Sequence, residues 1–346
     1  MNMIVDFSRI GEKTTGVERI SIELFNGTYL DCSTLEEVRA KDVPSMIFVQ
    51  WVILPWKAFV QQNSLIMCPG FPPSIALSLL GHRRVIPYIH DMFLLNRPED
   101  LNIRAKFYMR PSFWFALRYL RSFLVNSEYT ASALRQKIRK DAEVIMLRPA
   151  VRNIFHLSPE HAFSNRPINE ILKLVSLGTI EPRKDYLAAA RVRRALAARL
   201  QCKVELHIVG RNGWGTDSEA LSRESDVFLH GYKSGEEIRI LLEKADVFLA
   251  TSKDEGLGLP LLEVQHGGLA VVAANIPPFR EVLGAAGKFI DTADADSAAN
   301  IIATMVEAPR WREHEAKKAL ANVARWNAIA IQDRDYFRSW LKSRVV

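Results

Sequence analysis

Short strand-like runs alternate with helix-like segments along this chain, and they do so in two rounds. "MIVDF", "SLIMC", "RVIPYI" and "SFLVNS" read as strands of a first round, and "TGVERISIELF" and "EYTASALRQKIRK" as helices between or after them. Thr14 or Thr15 is expected near the N-cap of the first helix. A weakly patterned stretch follows at 151–170, and then the rhythm restarts with "LKLVSLG", "DYLAAARVRRALAARL", "VELHIVG", "EEIRILLEKA", "DVFLATS", "LPLLEVQHG", "LAVVAAN" and "ADSAANIIATMVEA". Alternation of this kind forces parallel sheets, because a strand that returns through a helix runs in the same direction as the one before it. The expected fold is therefore α/β, with two doubly wound domains. The linker falls within 151–170, and ligands bind outside the carboxyl ends of the strands.

A length of 346 residues suits two domains, and the composition, 48% hydrophobic and 25% charged, is that of a globular chain. Cys32, Cys68 and Cys202 have neither metal nor disulfide spacing, and an odd count fits a reducing cytosol. The first ten residues carry an acid and do not read as a signal peptide. The apolar stretch 46–60 is interrupted by Gln50, Pro55 and Lys57 and is expected to be too short to cross a bilayer.

The net charge of +7 is unevenly distributed: residues 101–140 hold nine Lys/Arg and one acid, Glu128. Pro111 suits the first turn of a helix in which Trp114, Arg118 and Arg121 would share a face. A basic face with aromatic residues suits an anionic membrane surface, and a half-buried helix with a solvated basic edge is the other reading. No nucleic-acid-binding motif accompanies the charge, so nucleic acid is not expected as a partner.

The segment "DEGLGLPLLE", 254–263, carries the most chemistry. Glu255 lies at the end of a loop and Glu263 about a turn inside the following helix. Gly256 and Gly258 admit close approach of a ligand to the backbone, and Pro260 costs no hydrogen bond in a first turn. Amides at a helix N-terminus favour phosphate, and carboxylates accept hydrogen bonds from sugar hydroxyls. One carboxylate for each of two polyols joined by a diphosphate describes a nucleotide sugar. Acids near a helix start also complement the macrodipole without any ligand. "HGG" at 266–268 lacks the serine elbow of an esterase, "DAD" at 294–296 reads as a helix cap, and "GRNGWG" lacks the dinucleotide spacing.

The segment resembles the E-x7-E motif of the retaining glycosyltransferases of family 4, which have the GT-B fold of two Rossmann-like domains facing across a cleft. "TGVERISIELF", "IPYIHDMFLLNRPE", "VNSEYTASAL", "VSLGTIEPRKDY", "LHIVGRNGW" and "AVVAANIPPFREVLGAAGKFID" resemble further family segments, in the family's order. The resemblance implies an acceptor-binding domain at 1–165, a nucleotide-sugar domain at 166–330 and a C-terminal helix at 331–346 crossing back to the first.

It also implies roles for individual residues. Glu255 would bind the donor sugar, the amides of Gly256, Leu257, Gly258 and Leu259 the sugar and phosphates, and Glu263 the ribose. Arg183 and Lys184 would neutralise the diphosphate, Gly16 would close on the phosphates from the first domain, and His90 would contact the transferred sugar and the acceptor. No metal or other cofactor is expected, since fixed cations and helix N-termini stabilise the leaving group. Thr179 stands where many relatives have Arg, and His266 is unusual after the second glutamate.

"GTIEPRK" with "IPPFREV" looks most like mannosyl- and rhamnosyltransferases of bacterial surface polysaccharides. The implied donor is GDP-mannose, with dTDP-rhamnose or a UDP-sugar behind it. The implied acceptor is a lipid-diphosphate-linked saccharide, met by a cytoplasmic protein peripheral to the inner membrane face. A phosphorylase of the same architecture and a non-catalytic relative are the alternatives.

Overall fold

The computed structural model describes residues 2–10, 16–30, 32, 34–70, 72–96, 105–160 and 171–344. The helix-cap candidates Thr14 and Thr15, the start of the basic segment at 101–104 and the expected domain boundary at 165/166 lie outside the described residues. The chain divides into two compact units. The first is Met1–Pro149 with Ile329–Val346, and the second is Ala150–Ala328.

In the first unit six parallel strands are β1 (Asn2–Phe7), β2 (Thr34–Arg39), β3 (Ser64–Cys68), β4 (Val85–Ile89), β5 (Ser122–Val125) and β6 (Glu143–Met146), in the order β2-β1-β3-β4-β5-β6. In the second, β7 (Ile171–Leu177), β8 (Lys203–Val209), β9 (Val227–Leu229), β10 (Val247–Ala250), β11 (Ala270–Ala274) and β12 (Gly287–Ile290) lie in the order β12-β11-β10-β7-β8-β9. All pairings are parallel, as the alternation requires.

Interior strands of such sheets are covered by helices on both faces, so they read as unbroken apolar runs. β3, β4, β5 and β11 are buried at every position. β2, β6, β9 and β12, which the sequence pattern does not reveal, are the four sheet edges. Their exposed and half-exposed positions dilute the apolar signal. Pro87 lies inside β4 and lacks a ladder donor. β4 pairs with β3 through Pro87 and with β5 only beyond it, at Tyr88 and Ile89.

The helix Tyr186–Leu200 shows how sequence sets an element. Alanine, leucine and arginine give high helix propensity. Asp185, at φ 50°, caps the start by accepting from the Ala188 amide at 3.3 Å, and Gln201, at φ 52°, ends the helix in a left-handed conformation. Its Ala189, Val192 and Leu196 join the core of the second sheet. Loss of the Asp185 cap would cost about 1 kcal/mol. Asp294, within "DAD", caps the helix Ala295–Glu307 by accepting from the Ser297 amide at 2.9 Å, so capping accounts for that acid.

Three sequence expectations need correction. The apolar stretch 46–60 is part of one helical run, Val43–Val60, long and apolar enough by length and composition to cross a membrane. A π turn at Val49–Ile53 precedes Pro55, and the Leu54 amide bonds back to the Val49 carbonyl, so the wider turn absorbs the proline. Leu54 and Ala58 of this run are buried in the first core. Second, the helix with Pro111 in its first turn is Arg110–Tyr119, and Arg121 lies past its end, paired with Asp141 at 3.1 Å, rather than on a face with Trp114 and Arg118. Third, the C-terminal helix is not confined to 331–346: it runs unbroken from Trp311 to Ser343.

Candidate active site

In the second sheet the chain starts at β7, builds outward through β8 and β9, and then returns to the other side of β7 as β10. The loops after β7 and β10 therefore part company, and in doubly wound sheets the crevice between such loops is where ligands bind. The loop after β7 holds Glu181, Arg183 and Lys184, and the loop after β10 holds Ser252, Glu255, Gly256 and Gly258. The two are tied together. The Lys253 amide donates to the Arg183 carbonyl at 2.8 Å, and the Thr251 hydroxyl to the Asp185 carbonyl at 2.9 Å.

Glu255 is the focus of this crevice. Arg183 Nη1 donates to its Oε2 at 2.7 Å, and Lys184 Nζ and Ser252 Oγ donate to its Oε1, the serine at 3.0 Å. Burial by itself would raise the Glu255 pKa. The charges of Lys184 and Arg183, with the Lys184 and Ser252 hydrogen bonds, outweigh it and bring the carboxyl to about 2. Glu181, itself buried, accepts from Arg183 Nε at 2.9 Å. Two cations are thus held side by side by two carboxylates in a site largely out of water.

Backbone geometry explains the glycines. Gly258 has φ +93° and caps the helix Leu259–Gln265, and a Cβ on it would lie 2.7 Å from the Phe279 ring. Behind the cation loop, a Cβ at Gly210 would lie 1.9 Å from the Gly178 carbonyl oxygen, so β7 and β8 end in contact that only glycine allows. Glu263 is buried within the helix, Leu257 is buried and Leu259 half-buried. Thr179 is exposed on the same loop as Arg183.

In the first unit His90 directly follows β4, and its Nε2 is 2.7 Å from the Pro69 carbonyl oxygen, just after β3. A carbonyl only accepts, so Nε2 carries the hydrogen and Nδ1 is the acceptor of the neutral ring. Burial lowers the His90 pKa, against the raising influence of the Pro69 bond and Asp91. The same Pro69 oxygen accepts from Ser21 at 3.1 Å, in the helix Gly16–Leu24 that Gly16 opens at an exposed position. The structure thus gathers Gly16's helix and His90 around one carbonyl in the first unit. It gathers Arg183, Lys184, Glu255 and the 256–259 loop in the second.

Sequence reasoning missed Glu181, Ser252 and Ser21, although all three stand inside the quoted segments. His266 ends the helix Leu259–Gln265, and its Nε2 lies 3.2 Å from the Val151 carbonyl, a contact that secures the start of the second unit.

Residues 158–324 match the family model described as "Glycosyl transferases group 1". The chain is 26% identical over 261 residues to O-antigen chain mannosyltransferase B of Escherichia coli, covering 72% of this chain and 68% of that protein. It is 30% identical over 161 residues to phosphatidyl-myo-inositol mannosyltransferase of Mycolicibacterium smegmatis, 44% of this chain and 41% of the relative. Among solved structures it resembles Anabaena HepE in complex with UDP and glucose, with TM-score 0.72, 19% identity, and coverage of 99% of this chain and 100% of the other. Two parallel six-stranded sheets and the solved-structure likeness show the GT-B fold, and the family model over residues 158–324 with these relatives supports a glycosyltransferase similar to those of family 4.

Proposed function

We propose that the protein is a retaining, metal-independent hexosyltransferase of surface polysaccharide synthesis that moves mannose from GDP-mannose to a lipid-diphosphate-linked saccharide. The observation that carries this reading is Glu255 fixed between Arg183 and Lys184 at the switch point of the second sheet. Two similar proteins that are named as mannosyltransferases favour mannose over rhamnose or a UDP-sugar.

The donor's sugar hydroxyls would donate to Glu255, which stays ionised at any working pH because its pKa is about 2. The diphosphate would take up Arg183 and Lys184 with the amides of 256–259, and the ribose would take Glu263. As the sugar–phosphate bond breaks, charge grows on the departing phosphate, and pre-placed cations stabilise it without reorganising. The acceptor hydroxyl would attack from the same face and pass its proton to the departing phosphate oxygen, which keeps the anomeric configuration. His90, neutral with Nδ1 as acceptor, would orient a hydroxyl of the transferred sugar or acceptor. The protein would work in the cytoplasm, peripheral to the inner membrane face.

The test is a melting-temperature panel of GDP-mannose, dTDP-rhamnose, UDP-glucose and UDP-GlcNAc with and without EDTA, followed by transfer of labelled sugar from any donor that binds. A shift with GDP-mannose alone, unaffected by EDTA, and label transferred to a lipid-linked acceptor are the expected results. A shift only with another nucleotide would replace the donor. A shift abolished by EDTA would overturn metal independence.

A further inference from the structure

Three helical elements of the first unit carry most of the exposed large apolar side chains among the described residues. They are the run Val43–Val60, the helix Ile75–Leu80, and the segment Ala105–Tyr119. They are joined by specific bonds. Trp51 Nε1 donates to the Tyr108 hydroxyl at 3.2 Å, which donates to Gln50 Oε1 at 2.8 Å, and the Ser74 hydroxyl donates to the Gln50 carbonyl at 2.6 Å.

The run Val43–Val60 has two faces. Val49, Leu54 and Ala58 belong to the core, and Arg84 Nη2 donates to the Ala58 carbonyl at 2.6 Å. On the other side Val43, Ile47, Trp51, Trp56 and Phe59 are exposed, Trp56 by 64% and Phe59 by 60%. These five succeed one another by four, four, five and three residues, and the step of five leaves the π turn, whose longer repeat keeps the stripe in phase. Leu79 and Leu80 are exposed on the second element, and Phe107 and Trp114 on the third. Apolar patches of this kind mark an interaction site.

Charge selects the partner. The sequence from 43 to 60, from 75 to 84 and from 105 to 119 contains no Asp or Glu. Its Lys57 is paired with Glu36, so the cations it offers are exposed Arg83 and exposed Arg110 and Arg118, the last two placed four residues to either side of Trp114 and so on one stripe. In a twofold dimer the same patch would meet itself, setting this arginine stripe against its copy with no acid in the patch to offset it. An anionic lipid surface answers both the cations and the aromatic residues. The buried face holds the run on the domain, so it lies in the plane of a membrane rather than across it.

We propose that this acid-free apolar face docks on an anionic phospholipid bilayer, with Trp56, Phe59, Phe107 and Trp114 entering the headgroup region and Arg110 and Arg118 meeting lipid phosphate. The inference rests on the reading that the acceptor is lipid-linked, and it names the surface that brings the enzyme to it. It goes beyond the basic segment alone, because the largest apolar area lies on 43–60, outside that segment.

The test is co-sedimentation of the full chain with vesicles of phosphatidylcholine alone and of phosphatidylcholine with phosphatidylglycerol, at low and high salt, with brominated lipid as a tryptophan quencher. Binding to the anionic vesicles, weakened by salt, with tryptophan quenched, is expected. A Trp56→Ser/Phe59→Ser variant should lose affinity by about tenfold or more, and Arg110→Glu/Arg118→Glu should remove the preference for anionic lipid. Both variants should keep the parent's melting temperature and nucleotide-induced shift, which separates this proposal from the donor assignment. Failure of the parent chain to bind either vesicle, or unchanged binding by Trp56→Ser/Phe59→Ser, would overturn it. Concentration-dependent self-association abolished by that variant would assign the face to a second copy instead.

Discussion

Glu181 Oε1 lies 2.9 Å from Nε and 2.8 Å from Nη2 of Arg183, and this side-on grip turns Nη1 toward Glu255. Glu181 is therefore a positioning residue for the cation. Glu181→Gln, which keeps an acceptor, should raise the donor KM several-fold with little change in kcat. Glu181→Ala should raise it further. Equal loss of kcat in both variants with KM unchanged would show that Glu181 does not act through donor binding.

Glu255→Gln removes the charge that holds Arg183 and Lys184. Transfer should fall by about 100-fold or more, the range seen when one group stabilising a transition state is lost. The two cations would be freed at the same time, so nucleoside diphosphate should bind at least as tightly as before. Calorimetry with GDP and a transfer assay read the two effects separately. Weaker GDP binding would mean that Glu255 contacts the nucleotide rather than the sugar.

The His90, His207, His230 and His266 pKa values are all lowered, with burial the first cause in each. A histidine held neutral by the fold stabilises fully above its unfolded value near 6.5. That stability is lost as pH falls through the folded value, because the unfolded chain binds the proton more readily. The melting temperature should therefore drop as pH goes from about 7 to 5. His207 Nδ1 and His230 Nε2 face each other at 2.9 Å, a pair that cannot both be charged without repulsion. His230→Gln should flatten the drop, and an unchanged slope would show that this pair does not contribute. Glu255 adds little loss in this range, because a carboxyl lowered from 4.5 to about 2 by folding keeps its full stabilisation above the unfolded value of 4.5 and loses it only as pH falls from there toward 2.

Gly210→Ala should be more harmful than its size suggests. Its Cβ would meet the Gly178 carbonyl oxygen at 1.9 Å, and that atom is backbone and cannot rotate away. Overpacking of this kind costs on the order of 1–3 kcal/mol or more. Gly178 also leads into the loop of Arg183, so donor binding should weaken together with the midpoint of urea unfolding. A parent-like midpoint would show that the strand ends separate easily.

Sheet interiors were legible in the sequence, and sheet edges were not. β1, β3, β4, β5, β7, β8, β10 and β11 are apolar runs because helices cover both faces. "TLEEVR" and "EVIM" face water on one side, and their mixed pattern matches neither period. The site motifs were legible because each lies within a single loop. The role of Ser252 was not, since it depends on its position in space beside Glu255 and the two lysine and arginine donors from the loop after β7. The length of the helical run at 43–60 was misjudged because Pro55 normally ends a helix, and a π turn cannot be read from composition.

The first unit is written in two parts, residues 1–149 and 329–346, with all of the second unit between them. The tail is not an ornament. Arg338 donates to the Thr28 and Tyr29 carbonyls at 2.9 and 2.8 Å, Asp333 pairs with Arg148 at 2.8 Å, and Trp340 donates to Glu143 at 3.1 Å. On the ribosome, these groups emerge only after the whole second unit has been made, roughly 10–40 s later at about 5–20 residues per second. The domain translated first is thus the last to be completed. Until the helix Trp311–Ser343 is complete, a nascent chain holds an unfinished edge at β6, where Trp340 will bond Glu143, and a domain left incomplete for that interval is the kind of species on which chaperones act.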